Sequence, residues 1–122
     1  MANTITLTNG NDSEAGTILD DIIWSLAGDD TVFGGIGSDK IHGGNGSDKF
    51  VVYLGHDTIV DFQNNRDTIN VFETLTTSVA RKAYVNSHAT VVGGNTILTN
   101  DVSKSVTILG LTNITQLYDD IV

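Results

Sequence analysis

Aspartate recurs at every ninth residue over most of the first half of the chain: Asp12, Asp21, Asp30, Asp39, Asp48 and Asp57 share one register. Two residues further on, the same register holds Glu14, Ile23, Val32, Ile41, Phe50 and Ile59, apolar in all but the first. The 122 residues include 13 Asp, so a given position is Asp by chance about one time in ten, and six in register is on the order of a one-in-a-million event before the choice of period is allowed for. The two central units, Gly34 to His42 and Gly43 to Val51, follow without a gap and both read G-G-x-G-x-D-x-U-x, with U a large apolar residue. Asp67-Thr68-Ile69 continues the pattern after one inserted residue.

Each unit reads in two halves. Glycines admit positive φ and leave main-chain carbonyls unobstructed, so the first six residues suit a tight turn that wraps an ion. The last three suit a short strand whose U residue points inward while its neighbours point outward. Three-residue strands are stable only when stacked, which predicts a parallel coil of two units per revolution with turns eighteen residues apart lying one above the other. Asp21 then lies over Asp39, Asp30 over Asp48, Asp12 over Asp30 and Asp39 over Asp57. Carboxylates about 4 Å apart repel by about 1 kcal/mol even in water, so the stack calls for a cation. Two carboxylates plus carbonyls, without His or Cys, favour Ca²⁺ over Mg²⁺ or a transition metal.

Composition supports that choice by exclusion. There is no cysteine, hence no disulfide framework and no thiolate metal site. A formal charge of −9 opposes binding to nucleic acid or anionic lipid through a basic patch. No apolar run approaches the length of a membrane span, and Met1 to Gly10 lacks the pattern of a secretory leader. Eleven of the fifteen acids lie between Asp12 and Asp67, and ten of the thirteen glycines between Gly10 and Gly55. Residues 1–70 are therefore read as the coil, and residues 71–122 as a β-rich cap on the same continuous domain. His42, His56 and His88 are far apart and never form H-x-x-x-H, so zinc catalysis has no support.

The repeat resembles the calcium-binding nonapeptide of RTX proteins. That resemblance implies an all-β, right-handed parallel β-roll in which the earlier turn supplies carbonyls from positions two and four, the later turn those from positions one and three, and each its Asp. Leu26, Gly28 and Asp30 would face Gly43, Asn45 and Asp48; Thr17, Leu19 and Asp21 would face Gly34, Ile36 and Asp39. Gly35 and Gly37 belong to the same ligand set, with Asp12 and Asp57 at the outer sites. Leu7, Thr8, Ser25, Leu26, Val52 and Tyr53 stand where the motif has glycines. The segment Asp57 to Phe62 followed by Asp67 to Val71 resembles the closing segment of the roll in serralysin-type proteases and in the R-modules of alginate epimerases, where Asp61 and Asp67 would hold a further ion.

Beyond residue 70 the sequence predicts strands at Ala89 to Val92, Thr96 to Thr99 and Ser105 to Leu109, joined by turns at Gly93-Gly94-Asn95 and Asn100-Asp101. They would cover the open end of the roll. The terminal Asp119-Asp120-Ile121-Val122 is similar to an uncleaved type I secretion signal, which implies a bacterial protein exported to the extracellular space without an N-terminal leader. On the outer face of one sheet, stacking sets Trp24 beside His42 and Ile22 beside Lys40, a patch suited to an anionic polysaccharide; the competing expectation is that Trp24 packs under the C-terminal part or an attached domain. The overall expectation is a non-catalytic, calcium-dependent module, alone or attached to a catalytic domain. The alternative is a polysaccharide-binding R-module of a secreted carbohydrate-active enzyme.

Overall fold

A computed structural model describes residues 3–52, 54–63, 66–71, 77–101 and 104–121. Tyr53 and Val122, both named above, lie outside that set. The odd-numbered strands β1 (Asn3–Thr6), β3 (Asp21–Trp24), β5 (Lys40–His42) and β7 (Gly55–Ile59) run parallel in one sheet. The even-numbered strands β2 (Ser13–Ala15), β4 (Thr31–Phe33), β6 (Lys49–Val51) and β8 (Thr68–Asn70) form a second. The chain alternates between the sheets, so successive pairs make four coils of a mostly β parallel solenoid, a β-roll.

The expected eighteen-residue register holds throughout: Ile23 pairs with Ile41, Ile41 with Ile59 and Val32 with Phe50. Phe50 pairs with Ile69 across the one-residue insertion. Six residues at the U position, Ile23, Val32, Ile41, Phe50, Ile59 and Ile69, are fully buried between the sheets. Each such side chain contributes about 1.5–3 kcal/mol, and this narrow ladder is the centre of the roll's core, with Ile5, Val52 and Phe62 packed against it. The coil includes one unit ahead of the first register aspartate. Asn3 pairs with Asp21 and Ile5 with Ile23; extending the nine-residue register back from Asp12 and Glu14 reaches these two residues, with Asn in the place of Asp.

The cap contains the expected strands and, among the described residues, an α-helix and a short 3₁₀ helix (Ile114–Leu117) that were not expected. Strand β11 (Lys104–Ile108) pairs in parallel with β7, occupying the place of a further coil. It continues antiparallel into β10 (Asn95–Asp101) and β9 (Ala89–Val92). The expected turn at Asn100-Asp101 is instead strand: β10 runs on to Asp101, which pairs with Lys104 past a register shift. Helix α1 (Ser78–His88) starts at Thr77, whose hydroxyl accepts from Ala80 N at 3.1 Å. It buries Tyr84 and Val85, too sparse an apolar stripe to announce itself by periodicity. The second sheet is closed by the chain terminus, where Ile69 N donates to Asp120 O at 2.8 Å and Ile121 bridges Ile69. Leu117 and Ile121 are fully buried there. Among the described residues no helix is long and apolar enough to cross a membrane.

Candidate metal centre

The aspartates of the nine-residue register are joined by a ladder of main-chain hydrogen bonds. The N–H of Asp12 donates to Asp30 Oδ1 at 2.8 Å, that of Asp21 to Asp39 at 2.9 Å, and that of Asp30 to Asp48 at 3.0 Å. Asp39 N–H reaches Asp57 Oδ1 at 3.1 Å and Asp48 N–H reaches Asp67 Oδ1 at 2.9 Å. All the expected stackings are present, and Asp67 joins as a fifth rung. Asp21, Asp30, Asp39, Asp48, Asp57 and Asp67 are at most 2 % exposed.

One oxygen of each accepting carboxylate, Asp30, Asp39, Asp48, Asp57 and Asp67, is thereby used, and the other decides the chemistry. The Oδ2 atoms of Asp30, Asp39 and Asp48 are buried and have no hydrogen-bond partner. A buried carboxylate oxygen without a donor is costly, and a hard cation supplies what is lacking. Asp39 and Asp57 converge most clearly: a Cβ placed on Gly34 would stand 2.9 Å from Asp39 Oδ2 and 3.1 Å from Asp57 Oδ2. Burial, reinforced by the neighbouring Asp39 charge, pushes the Asp57 carboxyl up to about 8. Burial, reinforced by Asp67 and Asp30, pushes Asp48 up to about 7. Burial raises Asp30, Asp39 and Asp67 as well.

The outer rungs are completed from within the chain. Asp12 Oδ2 accepts from Thr8 N at 2.9 Å and Thr8 Oγ1 at 2.8 Å, and Asp21 Oδ2 from Thr17 N at 2.6 Å. Asp67 Oδ2 accepts from Gln63 N at 2.8 Å. Asp61 sits on the turn of the preceding coil, its two oxygens accepting from Gly43 N at 2.8 Å and Gly44 N at 2.9 Å. Gln63 Nε2 donates to Gly44 O. The oxygens of Asp61 and Asp67, expected from the resemblance to hold an ion, thus each have a main-chain donor.

The turns themselves stack through the main chain. Ile36 N donates to Thr17 O at 3.1 Å and Asn45 N to Leu26 O at 2.9 Å. Gly35 (φ 95°) cannot be replaced without strain, since a Cβ there would lie 2.5 Å from Thr17 O. Leu26 stands in the equivalent place of its own turn with φ 73°, a left-handed conformation that costs a non-glycine residue about 1–2 kcal/mol. The turn keeps its shape although the glycine is missing. Leu19 and Gly37 stack likewise, as do Gly28 and Gly46, and Gly34 and Gly43 open their turns beside Asp39 and Asp48.

A second, outer ladder was not foreseen. Asn11 Oδ1 accepts from Asp29 N, Asp20 Oδ1 from Ser38 N and Asp29 Oδ1 from Ser47 N, each at 2.8 Å. These residues occupy the position before the register aspartate, so the doublets Asp20-Asp21 and Asp29-Asp30 were its signal in the sequence. Among the described residues no group of three or more His, Cys, Asp or Glu side chains gathers as a metal cluster.

On the outer face of the larger sheet, Trp24 pairs with His42 and their rings stack at 3.6 Å, 9° from parallel. Trp24 is 41 % exposed, so the cap does not cover it. Burial holds His42 below its ordinary value against the pull of Asp61. Lys40 lies beside Ile22 and Thr58 in the next row.

Residues 16–50 and 24–59 match the model of the RTX calcium-binding nonapeptide repeat. No curated protein matches the chain. Among solved structures it is similar to the AlgE6R3 subunit from the Azotobacter vinelandii mannuronan C5-epimerase, with 27% identity and a TM-score of 0.74 over 99% of this chain and 77% of that one. The fold is shared with the extracellular lipase LipA from Serratia marcescens, at 19% identity and a TM-score of 0.57; this chain spans 20% of its length. The stacked turns between Gly16 and Ile59 thus match RTX calcium-binding nonapeptide repeats, and the chain as a whole is similar in fold to the epimerase subunit.

Proposed function

We propose that this is a non-catalytic module that folds when it meets extracellular Ca²⁺ and so stabilises, and helps to export, the protein that carries it. The observation behind this reading is the set of partnerless Oδ2 atoms of Asp30, Asp39 and Asp48 in the middle of the ladder. The carboxylates disfavour the compact chain until a cation neutralises them, so binding free energy becomes folding free energy. The ion would sit between paired turns, held by Asp30 and Asp48 with the carbonyls of Leu26, Gly28, Gly43 and Asn45. Its counterparts would use Asp21 and Asp39 with Thr17, Leu19, Gly34 and Ile36, and Asp39 and Asp57 with Gly35 and Gly37. Extracellular calcium modules bind at about 10⁻⁴ to 10⁻³ M, empty in a cytosol and filled outside. A type I exporter passes unfolded chain, so a module that stays unfolded until it meets Ca²⁺ suits that route. Far-UV circular dichroism tests the core of this: disorder in chelator, β signal on Ca²⁺ and not on Mg²⁺. A spectrum folded in chelator and indifferent to Ca²⁺ overturns it.

A second reading has its own observation. Across the larger sheet the outward positions carry Thr4 and Thr6, Ile22 and Trp24, Lys40 and His42, Thr58 and Val60, Thr107 and Leu109. None is acidic, on a chain of charge −9. The Trp24–His42 stack would lie under a sugar ring, and Lys40 would meet a sugar carboxylate. The similarity to a subunit of an epimerase acting on mannuronan supports an anionic polysaccharide as the ligand. Titration with oligoalginate decides it.

A further inference from the structure

The four inner turns differ at their first residue: Gly16, Gly34 and Gly43 on three of them, Ser25 on the fourth. In the three glycine turns a Cβ at that position would lie 2.8, 2.9 and 2.6 Å from Oδ2 of the aspartate five residues on, Asp21, Asp39 and Asp48 respectively. At Gly34 it would also lie 3.1 Å from Oδ2 of the aspartate one coil further. The first position of a turn thus opens onto the space between two stacked carboxylates. Ser25 places a real side chain there, in the turn whose aspartate is Asp30 and whose partner one coil on is Asp48.

Three atoms of this one site lack partners. Ser25 Oγ, Asp30 Oδ2 and Asp48 Oδ2 are all buried and none has a hydrogen bond. Ser25 is 0 % exposed, so water does not compensate the hydroxyl. The main chain around it stacks on the next turn: Ser25 N donates to His42 O at 2.9 Å and Leu26 O accepts from Asn45 N. With φ 73° Leu26 keeps the left-handed turn that glycine supplies elsewhere. The turn therefore departs from glycine without losing its shape, and carries a buried hydroxyl at the position that in the glycine turns adjoins the aspartate Oδ2.

We infer that Ser25 Oγ is a calcium ligand, an additional neutral oxygen at the site between Asp30 and Asp48. This rests on the calcium reading above and adds to it. Ca²⁺ accepts six to eight oxygens at flexible angles, whereas Mg²⁺ demands six in near-ideal geometry. A side-chain hydroxyl beside two carboxylates raises the coordination number without adding charge. The site becomes the tightest of the ladder and the one that discriminates best against Mg²⁺.

The test is calorimetric titration of the full chain with CaCl₂, comparing wild type with Ser25→Gly and Ser25→Ala. Eu³⁺ luminescence lifetimes in H₂O and D₂O count the waters on the bound ion. Glycine is the residue of three neighbouring turns, so Ser25→Gly folds; circular dichroism at saturating Ca²⁺ verifies both variants. Replacement of the hydroxyl by water weakens one class of sites by about three- to thirtyfold and adds about one water to one ion, narrowing the preference for Ca²⁺ over Mg²⁺. Variants that fold yet match wild type in affinity and hydration overturn the role of Ser25 while leaving the calcium reading intact. A wild-type chain that takes up no Ca²⁺ overturns both.

Discussion

Asp39 donates its main-chain N–H to Asp57 Oδ1 at 3.1 Å, and the other oxygens of the two carboxylates meet over the α-carbon of Gly34. The main chain thus holds the second carboxylate against the first, where only a proton or a cation relieves their repulsion. The choice between proton and cation governs how the module responds to its surroundings.

Without metal, acid stands in for the ion. Asp57 is raised to about 8 and Asp48 to about 7 by burial and neighbouring carboxylates, well above their values in an unfolded chain. The folded state binds protons more tightly, so this contribution to stability is complete below about pH 4 and is lost as pH rises through 7 to 8. Metal-free chain in chelated buffer shows more β signal by circular dichroism at pH 5 than at pH 8.5, where it is disordered. With Ca²⁺ saturating at neutral pH the dependence reverses at the acid end, where protons displace the ion. A metal-free β signal that rises with pH contradicts this account.

Asp48→Asn and Asp67→Asn separate ligand from scaffold. Asp48 carries a partnerless oxygen, whereas both oxygens of Asp67 accept from the main chain. The first variant shifts the calcium midpoint of folding at least tenfold upward, the loss of one charged ligand. The second lowers stability by about 1–3 kcal/mol at every Ca²⁺ concentration that folds the chain. Chemical denaturation at several Ca²⁺ concentrations distinguishes the two patterns.

Leu26→Gly relieves the left-handed strain at φ 73°. The gain of about 1–2 kcal/mol is partly offset by the flexibility that glycine adds to the unfolded chain, about 0.4–1 kcal/mol. A net stabilisation of about 0.5–1 kcal/mol appears in the urea midpoint of the calcium-loaded protein. A destabilised variant shows that the packing of Leu26 outweighs its strain.

Ile121→Ala removes a fully buried side chain that bridges Ile69 in the second sheet, at a cost of about 2–4 kcal/mol. Because Asp67 and Ile69 share one strand end, the calcium requirement for folding rises with it. Circular dichroism titration reads both effects.

Trp24→Ala removes an exposed ring stacked on His42. Calcium-induced folding is unchanged, and oligoalginate binding falls at least tenfold if the sugar lies on this stack. Equal binding by the two proteins removes the polysaccharide reading.

The period of nine and the apolar residue two places after each aspartate determined most of this architecture by themselves. A short strand with one inward side chain has a single way to bury it, which is to stack on its own copies, so the parallel coil, its eighteen-residue register and the facing carboxylates were all legible in the linear order. Asn3 and Ile5 were legible too, had the register been carried one step back. Helix α1 was not, because two buried residues among polar neighbours form a helix only with β10 and the C-terminal turn to pack against. Nor did the linear order tell which carboxylates are partnerless. Asp12, Asp21, Asp61 and Asp67 look like Asp30, Asp39 and Asp48 in sequence, yet Thr8, Thr17, the Gly43-Gly44 amides and Gln63 complete the first four. Spacing brings the acids together, but hydrogen bonds are directional over a few tenths of an ångström. Only the folded chain decides which oxygen is left for an ion.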